Sequence, residues 1–285
     1  MLTVLTVVFA VGMVTVSSAA AHGPIWVSPS FKSGNCIKLP GGLWTFESEA
    51  TCKAGTPKVT TGSWERMLGS GEKEGITFAG KGVTKLEVPG VGLTVSCEST
   101  KAGAGSTEIA GGSPGTSTLT IKLEKCKDGS CEANSPGAAK GIIEFKANAE
   151  LAYRTKVAAE KEEGPLLVVF RTTESEKKEV VKIEGGECLA STTVLANGTN
   201  KTAMEEGKVG VATMGCLYVT PTPPVVKANE IICEETVVKK YFWWKAGVVT
   251  EGSAGLELST LKLEAKQVGD YVVELKSGEP WAAAG

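Results

Sequence analysis

The sequence predicts an all-β protein, built as an antiparallel β-sandwich or barrel-like sheets with disulfides. Three observations lead there. Apolar and polar residues alternate with period two over long stretches. Glycine (35 residues) and proline (12 residues) punctuate those stretches at hairpin spacings. Eight cysteines, an even number, follow an export signal. Strand, turn and strand without intervening helices excludes doubly wound and βαβ architectures.

The signal comes first in the chain. Residues 2–16, LTVLTVVFAVGMVTV, are an uncharged apolar run, and small residues follow it, which is the h-region and cleavage-site pattern of a secretory signal peptide. Cleavage after Ala21 fits the A-x-A triplet Ala19-Ala20-Ala21, with residues 1–21 removed and His22 as the first mature residue. The run is too short for a membrane span, which needs roughly 20 residues, so no stable span is expected after cleavage. No Lys or Arg precedes Lys32, so the usual basic n-region is missing. What remains is long enough for one large β domain or two smaller ones.

The strands follow in order. GLTVSC places Leu93, Val95 and Cys97 on one face, and TLTIKLEK does the same for Leu119, Ile121 and Leu123. In IEFKANAELAYR, residues 143–154, the odd positions Ile143, Phe145, Ala147, Ala149, Leu151 and Tyr153 are apolar, and all but one of the even positions are polar. DYVVELK repeats the pattern with Tyr271, Val273 and Leu275. In GLELSTLKLEA the apolar parity changes between Leu258 and Leu261, which predicts a bulge or tight turn near Ser259 and Thr260. VPGVG and KDGS read as hairpin connections, and GSGEKEG, residues 69–75, as a turn. Only KVAAEKEE, residues 156–163, looks helical, and it is too short to stand alone.

Residues 22–72 have looser periodicity and hold Trp26, Trp44 and Trp64, so they are expected to form a disulfide-stapled N-terminal segment ahead of a main antiparallel domain over 73–285. Thirty basic and 32 acidic residues are spread along the chain, for a formal charge of −2. Nucleic acid is therefore not an expected partner, nor is an anionic lipid surface.

Several short stretches carry a family resemblance. LEVPGVGLTVSCEST, LEKC with CEANSPG, AEKEEGPL, IEGGEC and the terminal VELKSGEPW resemble a group of uncharacterised exported β-rich proteins present in many copies in soil actinobacteria. The resemblance covers roughly residues 75–285. It implies export, β structure and disulfides, and it carries no catalytic residue across.

Motifs with possible chemistry are few. The start HGPIWVSP is similar to the mature start of copper-dependent polysaccharide monooxygenases, but His22 is the sole histidine, so the second imidazole of that copper grip does not exist. GGSPG, residues 111–115, has the letters of a nucleophile elbow around Ser113. Pro114, however, has no N–H for an oxyanion hole, and no histidine is available as base. Cys126 and Cys131 lack a second close pair for zinc. Glu160, Glu162 and Glu163 match no calcium loop, and the sequons at Asn197 and Asn200 mark a polar loop. No catalytic residue, cofactor or metal is expected.

The cysteines Cys36, Cys52, Cys97, Cys126, Cys131, Cys188, Cys216 and Cys233 read as four disulfides. Cys36 with Cys52 encloses a loop around GGLWTF, and Cys216 with Cys233 brackets TPTPP. The other four are assigned as Cys97 with Cys126 and Cys131 with Cys188. VVKKYFWWKAG, residues 237–247, is the densest aromatic stretch. As a strand it separates Tyr241 and Trp243 from Phe242 and Trp244. The second set has one lysine where the first has two, so it is expected inside. Tyr241 and Trp243 are left as a possible binding surface, against the rival reading that all four rings are packing residues. The expectation is an exported, non-enzymatic structural or binding protein of the cell envelope or extracellular space, whose partner is an unknown extracellular protein or glycan. The alternative is a polysaccharide-active enzyme or a carbohydrate-binding accessory module.

Overall fold

The computed structural model describes residues 23–32, 35–39, 42–55 and 62–153, followed by 166–172, 179–185, 189–196, 214–219, 228–233, 240–245, 248–253, 256–258 and 263–284. The signal segment, the 156–163 stretch, the Ser259–Thr260 turn and TPTPP lie outside the described residues. The protein is mostly β, with every strand pairing among the described residues antiparallel. Its elements are β1 (Ile25–Val27), β2 (Cys36–Lys38), α1 (Glu49–Ala54), β3 (Trp64–Arg66), β4 (Lys73–Gly80), β5 (Thr84–Val88), β6 (Leu93–Cys97), β7 (Ser99–Ala102), β8 (Glu108–Ala110), β9 (Thr116–Glu124), β10 (Lys127–Asp128) and β11 (Cys131–Glu132). There follow β12 (Ile142–Tyr153), β13 (Leu166–Thr172), β14 (Glu179–Gly185), β15 (Leu189–Ala196), β16 (Met214–Val219), β17 (Ala228–Cys233), β18 (Lys240–Lys245), β19 (Val248–Ser253), β20 (Leu256–Leu258), β21 (Leu263–Leu275) and β22 (Ala282–Ala284).

The pairings close a barrel. β4 pairs with β21, β21 with β17, β17 with β16, β16 with β13, β13 with β12 and β12 with β9. β9 then returns to β4 through β7 and β8, which share one strand position. Among the described side chains, one parity of β4, β7, β8, β9, β12, β13 and β21 lines the inside. Ile109 opposes Ser117, Thr100 opposes Leu123, and Leu123 opposes Ile143. Leu151 opposes Val168, Phe78 opposes Val273, and Ile76 opposes Leu275. All of these residues are buried. A ring of this size leaves an interior that side chains just fill, and Phe78 stacked on Tyr271 with centroids 4.8 Å apart occupies part of it.

The alternation in residues 143–153 is therefore the inner face of β12, with Ile143, Ala147, Ala149, Leu151 and Tyr153 buried. The parity change after Leu258 marks a reversal: β20 and β21 pair antiparallel with Leu258 opposite Leu263. VPGVG becomes a 3₁₀ turn over Pro89–Val91, closed by Gly92 at φ 68°. KDGS becomes the hairpin between β10 and β11, with Gly129 at φ 59° in the first turn position that asks for glycine.

Both mouths are covered. At the mouth where β9 ends, β21 runs on past the barrel to pair with β5 and β20. A second ring continues from there through β6, β10 and β11 on one side and β15 and β14 on the other. It closes on the bridge between Asn134 and Glu184. Gly80 and Gly269 sit at this crossing, where a Cβ would meet Thr100 at 2.9 Å and the Tyr271 hydroxyl at 2.9 Å respectively. Below them runs a buried polar chain: Thr84 and Thr100 share a hydroxyl hydrogen bond of 2.7 Å, and Gln267 donates to the Tyr271 hydroxyl.

The opposite mouth is capped by the segment from β1 to β3 together with β22. β1 pairs with β22, bridges to Met67 beyond β3, and β3 pairs with β2. Trp26 packs on Trp281 with centroids 5.4 Å apart, and both join Phe31, Leu68 and the barrel interior in one apolar cluster. The residues 23–68 thus share a core with the strands that follow. α1 is started by a capping box between Ser48 and Thr51. Arg66 fixes it by donating to the Cys52 carbonyl at 2.5 Å, while its guanidinium lies over Phe46.

Candidate functional site

GGSPG forms the turn between β8 and β9, and its serine has a definite partner. The Ser113 Oγ accepts from the Gly23 N–H at 2.7 Å and donates to the Gly23 carbonyl at 3.4 Å. Next to it the Gly115 N–H donates to the Pro24 carbonyl at 2.7 Å, and the Trp26 indole N–H donates to the Thr116 carbonyl at 2.9 Å. Glycine is needed at 115 because a Cβ would stand 2.7 Å from the Trp26 ring. The loop is a clasp for the buried segment that starts at Gly23. Ser113→Ala is expected to cost about 0.5–1.5 kcal/mol of stability, the range for losing one part-buried hydrogen bond, which urea unfolding would measure. His22 itself lies outside the described residues.

The cysteines are spent on bonds. Cys36 joins Cys52 with Cα atoms 6.1 Å apart, and Cys97 joins Cys126. The first is one of the two local pairs that the spacing suggested, and the second is one of the two assigned among the remaining four cysteines. Cys131 is also disulfide-bonded, which removes the thiolates that a zinc site at 126 and 131 would use. Its expected partner Cys188 lies outside the described residues. The β16–β17 register, Leu217 opposite Ile232, makes Cys216 and Cys233 the next opposed positions. Among the described residues no three His, Cys, Asp or Glu side chains are gathered as a metal site. Glu160, Glu162, Glu163, Asn197 and Asn200 lie outside them.

The turn at 69–72 is local: the Glu72 N–H donates to the Gly69 carbonyl at 2.9 Å, the Glu72 carboxylate accepts from the Gly69 N–H at 2.7 Å, and Gly71 takes φ 83°. The aromatic residues of the 237–247 stretch lie on β18. It pairs with β19, Trp243 opposite Thr250, and touches β12 where Phe242 opposes Tyr153. Opposed residues share a face. Phe242, half-buried, is therefore on the face of the buried Tyr153, and Tyr241 and Trp243 hold the alternate register positions of the strand. At its own alternate positions β12 carries the half-buried Glu150 and the buried Ala152.

Comparison with protein families, with curated proteins and with solved structures gave no match. The reading of function rests on this chain alone.

One residue that sequence reasoning did not single out is Glu65. It is 1% exposed, inside the cap, and its Oε1 accepts from the Trp44 N–H at 2.7 Å. Its strand neighbours Trp64 and Arg66 gave no hint, because which face of a three-residue strand is buried depends on what β1 and the 42–44 loop lay over it.

Proposed function

We propose that this chain is an exported, non-enzymatic structural or binding protein of the cell envelope or extracellular space. The observation that carries the reading is how the reactive side chains are employed. Ser113 holds the N-terminal segment, and Cys36, Cys52, Cys97, Cys126 and Cys131 are oxidised. Disulfides persist in oxidising compartments and are rare in the cytosol, which supports export, as does the signal pattern of residues 1–21. No helix among the described residues is long and apolar enough to cross a membrane.

The binding surface is proposed at Tyr241 and Trp243, whose register positions lie opposite the face shared by Phe242 and Tyr153. A tyrosine and a tryptophan at alternate positions of one strand suit a sugar ring or a partner protein. The test is adsorption of the secreted chain to insoluble glycans and envelope fractions. Trp243→Ala is expected to weaken adsorption and leave the melting temperature nearly unchanged. A loss of about 3–5 kcal/mol of stability on that substitution would mark Trp243 as a core residue and remove the surface. Release of soluble sugars from the same glycans would replace this reading with that of a polysaccharide-active enzyme.

A further inference from the structure

We propose that Glu65 is the proton-binding group of a latch on the cap, holding the 42–44 loop closed while its carboxyl is neutral and releasing the loop on ionisation. Glu65 stands on β3 opposite Ile37, between β2 and the apolar cluster of Ile25, Val27, Trp44 and Ala282. Its Oε1 accepts from Trp44, and the Leu43 N–H also donates to the carboxyl. Its Oε2 is buried and has no hydrogen-bond partner among the described residues. A Cβ on Gly42 would run into the carboxyl carbon, so the loop lies directly against the acid.

Among the described residues no cation compensates a charge there. β1, β22 and the 42–44 loop bring no ionisable side chain. Lys38 on β2 is exposed and paired with Trp64 rather than Glu65. Arg66 is committed to the Cys52 and Pro29 carbonyls and to the Phe46 ring. On α1, Glu49 and Lys53 pair with each other on the surface, and Glu47 is exposed beyond Phe46. An ionised carboxylate in such a place lacks both water and a counter-charge. Burial accordingly raises the Glu65 carboxyl above the ordinary glutamate value, against the smaller opposing effect of the Trp44 and Leu43 amides.

The sign follows from linkage. The folded cap keeps the proton to a higher pH than the open one, so its stabilisation is complete below the ordinary glutamate value. It is lost as pH rises through the raised folded value. Closing the latch binds one proton, so opening becomes about tenfold easier per pH unit across that window.

The experiment uses the full chain. Hydrogen exchange of the peptide spanning residues 39–46, corrected for intrinsic rates, is followed from acid to neutral pH in the wild type and in Glu65→Gln. The wild type is expected to lose protection at that slope, and Glu65→Gln to stay flat, since a neutral amide still accepts from Trp44. A carboxyl carbon titration of the wild type by NMR is expected to show Glu65 titrating above ordinary glutamates. A pH-independent wild type, an equal slope in Glu65→Gln, or an ordinary Glu65 titration would overturn the latch. Should Glu65→Gln fail to fold, the wild-type titration decides alone.

Discussion

Trp281→Ala is expected to destabilise the protein by about 3–5 kcal/mol, the range for truncating a buried tryptophan. Trp281 is 1% exposed, lies six residues beyond the end of β21 after a turn at Gly278, and packs on Trp26. The same apolar cluster contains Phe31, Leu68, Leu151 and Leu275, which belong to the cap and to the barrel beneath it. Removing the indole leaves a void where cap and barrel meet the C-terminal segment, and β22 and β1 can collapse into it only by giving up their register. Urea unfolding would measure the loss. Trp26→Ala should cost a similar amount, and the double substitution less than the sum of the two, because each indole is part of the other's packing. A cost below about 1 kcal/mol for Trp281→Ala would mean that the mouth is not closed by this residue.

Much of this architecture was legible, and the boundary between what was and was not is physical. Alternation is a local property of a strand, so β12 and β9 could be read residue by residue, down to the inner positions Leu119, Ile121 and Leu123. The hairpin of β20 and β21 was legible as a change of parity. Barrel closure was not, because it rests on pairs such as Phe78 with Val273, far apart in the chain, for which period-two patterning specifies a face and no partner. For the same reason Ser113 could be dismissed as a nucleophile from its neighbours but not assigned to Gly23, 90 residues away. Trp26 was read only as part of a segment of looser periodicity, and Trp281 was not singled out. Their burial comes from the meeting of the β1 segment with the segment before β22, with Ser28 donating to the Pro280 carbonyl at 2.6 Å. Glu65 left no trace in the pattern at all.

Replacing both Cys97 and Cys126 by alanine is expected to cost roughly 2–5 kcal/mol. The bond joins the end of β6 to the start of the β10–β11 hairpin across a sequence separation of 29, and both sulfur-bearing residues are 1% exposed. In the chain-entropy model a loop of that length is worth about 3–4 kcal/mol through the unfolded state. The position adds to this. β6 and β10 pair at only one register position, Ser96 opposite Lys127, so the second ring is held there by one bridge and this covalent link. Val88, Val95 and Ala133 belong to the same apolar cluster as the two cysteines, and truncation at two adjoining buried sites loosens that cluster. Cys36 with Cys52 closes a shorter loop of separation 16 at the edge of the cap, next to an exposed helix, and its removal should loosen the cap while the barrel stays folded. Denaturation of the two double variants, followed by hydrogen exchange resolved along the chain, separates the cases. Loss of protection is expected across β5, β6 and β9 for the Cys97 and Cys126 variant, and only within residues 35–68 for the other. Non-reducing peptide mapping of the wild type should recover both bonds and, from the opposed positions on β16 and β17, a third between Cys216 and Cys233. A Cys97 and Cys126 variant as stable as the wild type would show that the second ring is held by strand pairing and packing, with the bond adding nothing to it.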